Sequence, residues 1–126
     1  LNKEAKKARI ALLAENTYEK DFFYFEKLFS DFSDISMTLD VGHCHCFSDF
    51  SALQWQEAFQ SQIKAYHFHD NNHKTDDHCS LGKGSIDFKP LLQGIQKHFP
   101  HVFLTLETPL PHAQENFLFL KKLLSA

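Results

Sequence analysis

Four short apolar runs, each closed by a residue able to bind a metal, constrain this chain more than anything else in it. "ARIALLAEN" (8–16) ends at Glu15 and Asn16, and "ISMTLD" (35–40) ends at Asp40. "IKAYHFHD" (63–70) carries His67 near its tip, and "HVFLTLET" (101–108) carries Glu107. Short, nearly continuous apolar runs read as strands covered on both faces, the pattern of a parallel sheet.

Helical patterns lie between them. Phe22, Phe25 and Phe29, with Leu28 alongside, recur at helical spacing in residues 17–30. "SALQWQEAFQSQI" begins with a Ser51…Gln54 capping box and places Trp55, Phe59 and Ile63 four apart. "DFKPLLQGIQKHF" offers Asp87 as N-cap, Pro90 in the first turn, and Leu91, Leu92, Ile95 and Phe99 as its apolar face. Residues 112–125 carry Phe117, Leu120 and Leu124, with Lys121 and Lys122 where the helix dipole favours cations. Residues 1–7 read as the tail of a preceding helix. The order is βα four times over, an α/β fold with a parallel sheet.

In such folds the chemistry gathers at the C-terminal ends of the strands. Side chains alternate along a strand, so Glu15 shares a face with Leu13 and Ala11, Asp40 with Thr38 and Ser36, and Glu107 with Thr105 and Phe103. If those faces point inward, Glu15, Asp40, His67 and Glu107 converge at one end of one sheet. The set is rich in hard oxygen donors and suits Mn²⁺, Mg²⁺ or Co²⁺, and it can also hold Zn²⁺. Carboxylates from different strands could also take a proton from one face of a substrate carbon and return it to the other.

Composition narrows the partners. A formal net charge of −3 argues against nonspecific nucleic-acid binding. No run approaches the roughly 18 apolar residues of a membrane span. Three cysteines, an odd number lying beside histidines, make a poor disulfide framework, so a cytoplasmic setting is expected. Fourteen phenylalanines against one tryptophan and three tyrosines argue for a well-filled interior.

Five segments in order, "LLAEN", "LDVGH", "YHFHDN", "DDHCSLGKGSIDF" and "LTLETP", resemble the second half of the xylose isomerase-like TIM barrels. The resemblance runs from about residue 9 to 110, nearly the whole chain. That superfamily includes sugar and sugar phosphate isomerases and epimerases, and zinc-dependent apurinic endonucleases. It implies a (βα)4 half-barrel matching strands five through eight, with residues 1–126 as a single C-terminal half-barrel domain.

By position, the resemblance implies Glu15, Asp40, His67 and Glu107 as metal ligands, with Glu15 and Glu107 as the acid/base pair of the isomerase branch. His43 matches a substrate-contacting histidine there, and proton transfer through an enediolate is the implied reaction. In the endonuclease branch His43, Asp76 and His78 match ligands of a further zinc. That branch also needs histidines from the first half of the barrel, which this chain does not contain. The acidic or neutral loops, "CHCFSDFS" among them, fit DNA poorly. The isomerase or epimerase branch is therefore the closer one, acting on a sugar or sugar phosphate.

Other residues carry open alternatives. His69 lines the pocket or only hydrogen-bonds a ligand, and Asp70 is expected to cap the strand end or orient a histidine. Lys83, between Gly82 and Gly84, meets a substrate phosphate or stands in solvent. Cys44 and Cys46 are expected as free thiols, and His73, His98, His101 and His112 as surface residues. A full barrel takes about 250 residues. The chain, which starts with Leu, is thus expected to be part of a longer protein, to pair with a separate first half, or to close a barrel as a homodimer. A half that lacks its partner is expected to keep the ligands with weak or no activity, and a non-catalytic metal-binding half-barrel is a further alternative.

Overall fold

The computed structural model describes residues 2–99 and 101–125, so Leu1, Pro100 and Ala126 lie outside the described residues. Helix α1 (Asn2–Ala8) precedes strand β1 (Leu13–Glu15) and helix α2 (Phe23–Asp31). Strand β2 (Ser36–Asp40) leads into two short helices, α3 (Val41–Phe47) and α4 (Ala52–Ala58). Strand β3 (Ile63–Phe68), helix α5 (Phe88–His98), strand β4 (Phe103–Leu106), a 3-10 turn (Leu110–His112) and helix α6 (Ala113–Leu124) complete the order. The four strands form one sheet in the order β1-β2-β3-β4, all parallel. This is four βα units on one parallel sheet, as the alternation of apolar runs and helical faces implies, and as half of a TIM barrel would have it.

Register does the positioning. Asp40 pairs with His67 across β2 and β3, and His67 pairs with Thr105 across β3 and β4. Past the last rung, the Glu107 N–H still donates to the Phe68 carbonyl at 3.0 Å, which carries Glu107 to the same level.

The outward face of the sheet is covered. Met37, Leu39, Tyr66 and Phe68 are fully buried beneath the helices. Between α2 and α4 the phenylalanines form a continuous aromatic cluster. Phe22 stacks on Phe50 at 4.5 Å and meets Trp55 edge-on at 4.9 Å, and Phe25 and Phe29 each lie against Phe59. Aromatic pairs at such spacings add to what their area burial supplies. The Trp55 indole N–H donates to Ser48 Oγ at 2.8 Å, and Tyr66 OH donates to Gln56 Oε1 at 2.9 Å. Burial pushes the Tyr66 phenol far up.

The caps fall where the sequence places them. Ser51 and Gln54 form the reciprocal capping box of α4, and the Asp87 side chain accepts from Lys89 N at the start of α5. Leu91, Leu92, Ile95 and Phe99 are all buried. Three expectations need correcting. Ile63 opens β3 rather than closing a helix, because α4 ends at Ala58. Phe117 is 61% exposed, because α6 turns Asn116 and Leu120 inward instead. The stretch "CHCFSDFS" is not all loop, since Asp40 caps a helix through Phe47 by accepting from His43 N at 2.6 Å.

The opposite face of the sheet is only partly covered. Phe103, on the same face as Glu107, is 76% exposed, and Leu13, two residues before Glu15, is 38% exposed. Among the described residues β1 and β4 are edge strands with no further neighbour. In a closed barrel these side chains would be interior.

Candidate metal centre

The four strand-end residues meet. Ligand atoms of Glu15, Asp40, His67 and Glu107 all lie within 4.8 Å of one another. His67 Nδ1 is 2.8 Å from Glu107 Oε1, 3.3 Å from Glu15 Oε1 and 3.9 Å from Asp40 Oδ2. Asp40 is fully buried and its Oδ2 has no hydrogen-bond partner, while His67 Nδ1, though 2.8 Å from Glu107 Oε1, is not aligned to hydrogen-bond it. Buried polar atoms are nearly always satisfied. Two such orphans, Asp40 Oδ2 and His67 Nδ1, facing the Glu15 and Glu107 carboxylates fit a cation held between them, and the donor set suits a divalent ion.

A second group stands beside the first. Ligand atoms of His43, His69, Asp76 and His78 also lie within 4.8 Å of one another. Asp76 Oδ2 is 3.3 Å from His43 Nε2 and 3.3 Å from His78 Nε2. His69 is fully buried, with Nε2 at 3.1 Å from Asp40 Oδ1 and 3.6 Å from Asp76 Oδ1. Its ring lies flat on that of His78, at 3.7 Å and 6°. His43, Asp76 and His78, which the resemblance groups, lie close together. His69, expected as a pocket or supporting residue, joins them through its position two residues past His67.

The loop that carries Asp76 and His78 is anchored by Asp70. Its carboxylate accepts from the backbone N–H groups of Asn71, Gly82, Gly84 and Ile86. Asp70 is therefore the acceptor that folds the loop rather than a group that orients a histidine. Gly82, at φ 78°, and His78, at φ 48°, both take left-handed backbone in this loop. At the base of α3, Gly42 lets the backbone pass against the His69 ring, where any Cβ would overlap the imidazole.

Asn16 ties the first two strand ends together. It accepts from Asp40 N at 2.8 Å and donates to the Asp40 carbonyl at 2.9 Å. Burial works against the charged form of His43. The nearby Asp40 carboxylate, the Asn16 carbonyl, Asp76 and Glu15 outweigh it and raise the imidazole above its ordinary value. Sequence reasoning passed over Asn16 as a mere strand terminus, although an Asn directly after a ligand-bearing strand is the available signal.

Lys83 is brought to neither group. Its ammonium pairs with Glu115 Oε1 at 3.3 Å on the surface. Cys44, Cys46 and Cys79 are free, and none belongs to either group of ligand atoms. Burial pushes the Cys44 thiol well up, and His73, His98, His101 and His112 are exposed as expected.

A half-barrel with a carboxylate–histidine cluster at its strand ends defines a class of metal-capable α/β barrel proteins. The family model of the xylose isomerase-like TIM barrel matches residues 2–123, and the chain belongs to that family. Similar solved structures include a D-tagatose 3-epimerase-like protein, at TM-score 0.84 and 20% identity, over 98% of this chain and 50% of that one. A Thermus thermophilus protein, from a crystal soaked with ZnCl2, aligns at TM-score 0.80 and 18% identity over 98% of this chain and 48% of that one. A xylose isomerase domain protein from Planctomyces limnophilus aligns at TM-score 0.75 and 13% identity, over 98% and 49%. At these identities the likeness shows the fold. An uncharacterized protein of Methanocaldococcus jannaschii is 26% identical over 101 residues, covering 77% of this chain and 39% of its own length. The chain thus spans about half the length of the barrel proteins it matches.

Proposed function

We propose that this chain is the metal-binding half of a divalent-metal-dependent sugar or sugar phosphate isomerase or epimerase. The observation that carries the reading is the meeting of Glu15 and Glu107, from the two edges of the sheet, with Asp40 and His67. A divalent ion held by these four, whether Mn²⁺, Co²⁺, Mg²⁺ or Zn²⁺, would stabilise negative charge on neighbouring substrate oxygens. Glu15 and Glu107 are each about one-third exposed, so each can hold the ion through one oxygen and meet substrate with the other. One glutamate takes the proton from the carbon beside the sugar carbonyl, leaving an enediolate. The other, starting protonated, gives its own proton to the opposite face for epimerisation or to the neighbouring carbon for isomerisation. In the second case the hydroxyl proton passes to the former carbonyl oxygen. His43, its Nδ1 3.7 Å from Glu15 Oε1, would contact a substrate hydroxyl.

The exposed inner face at Phe103 and Leu13 supports a second (βα)4 unit as partner, supplied by a longer chain or by a second copy. No helix among the described residues is long and apolar enough to cross a membrane. Three free cysteines are compatible with the reducing cytoplasm proposed as its setting. The test is hydrogen exchange. With a first half-barrel supplied and Mn²⁺ or Co²⁺ added, substrate C–H protons should exchange with D₂O for at least one sugar in a broad panel. No exchange in any sugar would sink the reading.

The second ligand group favours one other reading, a zinc phosphodiesterase resembling the apurinic endonucleases. His43, Asp76 and His78 beside the first cluster would suit two metals flanking one phosphate. Cleavage of an abasic duplex, abolished by chelator and by His78→Ala, would support this reading over the first.

A further inference from the structure

We propose that Asn116, on α6, is a positioning residue for Glu107: acting through Thr108, it fixes the one member of the strand-end group that lies beyond its strand. The inference rests on the metal reading above, and it concerns a residue outside both ligand groups. Asp40 and His67 sit within strands and pair with each other across the sheet. Glu15 closes β1 in register with Thr38, and the next residue, Asn16, bonds the Asp40 backbone through both its N–H and its carbonyl. Glu107 comes one residue after β4 (Phe103–Leu106), an edge strand among the described residues. Its N–H still reaches the Phe68 carbonyl, but the ladder has ended there. Its side chain is 31% exposed where that of Asp40 is fully buried. A carboxylate placed so needs an anchor on its C-terminal side to keep one direction.

Thr108 is one end of that anchor and Asn116 the other. Asn116 Nδ2 donates to Thr108 Oγ1 at 2.6 Å, and Asn116 Oδ1 accepts from Leu81 N at 2.8 Å. The Leu81 end is itself fixed. Its side chain is buried in the core, and just beyond it the Asp70 carboxylate accepts from Gly82 N and Gly84 N. Asn116 therefore ties the residue after Glu107 to a rigid point of the loop that follows β3. Asn16 does the same work at the opposite edge of the sheet, directly after Glu15.

Packing alone does not account for an asparagine here. Asn116 is fully buried, on the face of α6 that also buries Leu120 one turn later. Asn is a poor residue for a helix interior, and a buried amide is unfavourable unless its hydrogen bonds are made. A leucine would fill the core at that position. An amide supplies at once the acceptor for Leu81 N–H and the donor for the Thr108 oxygen, which no apolar side chain does.

The test uses Mn²⁺, which an oxygen-rich group suits, and reads affinity and the EPR spectrum of the bound ion rather than turnover. Glu15→Gln should release the ion, which assigns it to the strand-end group. Thr108→Val keeps the size of the residue and removes the oxygen. It should weaken Mn²⁺ binding by about tenfold, as loss of an outer partner does, and alter the spectrum of the bound ion. Thr108→Ser keeps the oxygen and should restore both. Asn116→Leu should act in the same direction as Thr108→Val, and if it does not fold, the two Thr108 variants still decide. Leu120→Ala is the control on the same helix. It should lower the urea midpoint while leaving Mn²⁺ affinity and spectrum as in the unsubstituted chain. Mn²⁺ held equally by the unsubstituted chain and by Thr108→Val overturns this inference alone. So does failure of Thr108→Ser to restore binding, or an equal loss in Leu120→Ala, which would make Asn116 a core residue only. No Mn²⁺ bound by the unsubstituted chain, or an ion indifferent to Glu15→Gln, overturns the metal reading together with this inference.

Discussion

The two ligand groups stand side by side yet are built in opposite ways. Glu15, Asp40 and His67 lie on strands and Glu107 just beyond one, so the parallel register alone brings them level. His43 comes from the first turn of α3, His69 from the residue after β3, and Asp76 and His78 from a loop with left-handed backbone at His78. The first group is a consequence of the sheet. The second depends on caps, a buried carboxylate under a loop, and one glycine. A sheet tolerates change around a ligand better than a loop does, because ladder hydrogen bonds are shared among many residues.

Asp40 is where the comparison breaks most sharply, since it serves both groups. Asp40→Asn keeps an N-cap of similar quality for α3, so the fold should survive. Metal binding at both groups should nonetheless fall by about a hundredfold or more, beyond what loss of an outer partner costs. Isothermal titration beside a thermal melt reads both. A protein that still binds two metals tightly would separate the groups.

Asp70→Ala should divide them. Four backbone N–H groups lose a buried charged acceptor, which should cost about 3 kcal/mol or more in urea denaturation. Metal affinity should fall mainly at the loop-built group. An equal fall at the strand-built group would mean that the loop supports both. Gly42→Ala is a smaller perturbation on the same side of the comparison. Its methyl would push the His69 ring, for about 1–3 kcal/mol of lost stability. Ser51→Ala removes the α4 capping box far from either group and should cost about 1 kcal/mol with metal binding unchanged.

Cys46 reports the electrostatics without a large energetic effect. Burial first, then Asp76, Asp77 and Asp40, push its thiol up to about 11. A raised thiol stays protonated below that value, so alkylation should still be accelerating between about pH 10 and 11, where an ordinary thiol near 9.0 has levelled off. Two of those three aspartates belong to the ligand groups, so added Zn²⁺ should shift the profile to lower pH. A profile indifferent to Zn²⁺ would place the metal elsewhere.

The sequence alone determined the strand-built group. Glu15, Asp40, His67 and Glu107 each sit at or near the end of an apolar run. Strand periodicity and a parallel sheet are local enough to read from one chain, and so were the α4 and α5 caps. Helix α3 was not legible, because Asp40 reads as a strand-end ligand and the short "VGHCHCF" has little apolar periodicity. The exposure of Phe117 was hidden too, since the rotation of α6 is fixed by Asn116, which donates to Thr108 Oγ1 and accepts from Leu81 N, 35 residues away. Tertiary structure also decided that Asp70 folds a loop, that Lys83 turns to Glu115, and that His69 meets His78. Each depends on contacts between residues distant in sequence or on backbone of unusual φ, which a residue pattern does not encode. A strand end points where its ladder puts it, whereas a loop side chain points where its partners let it.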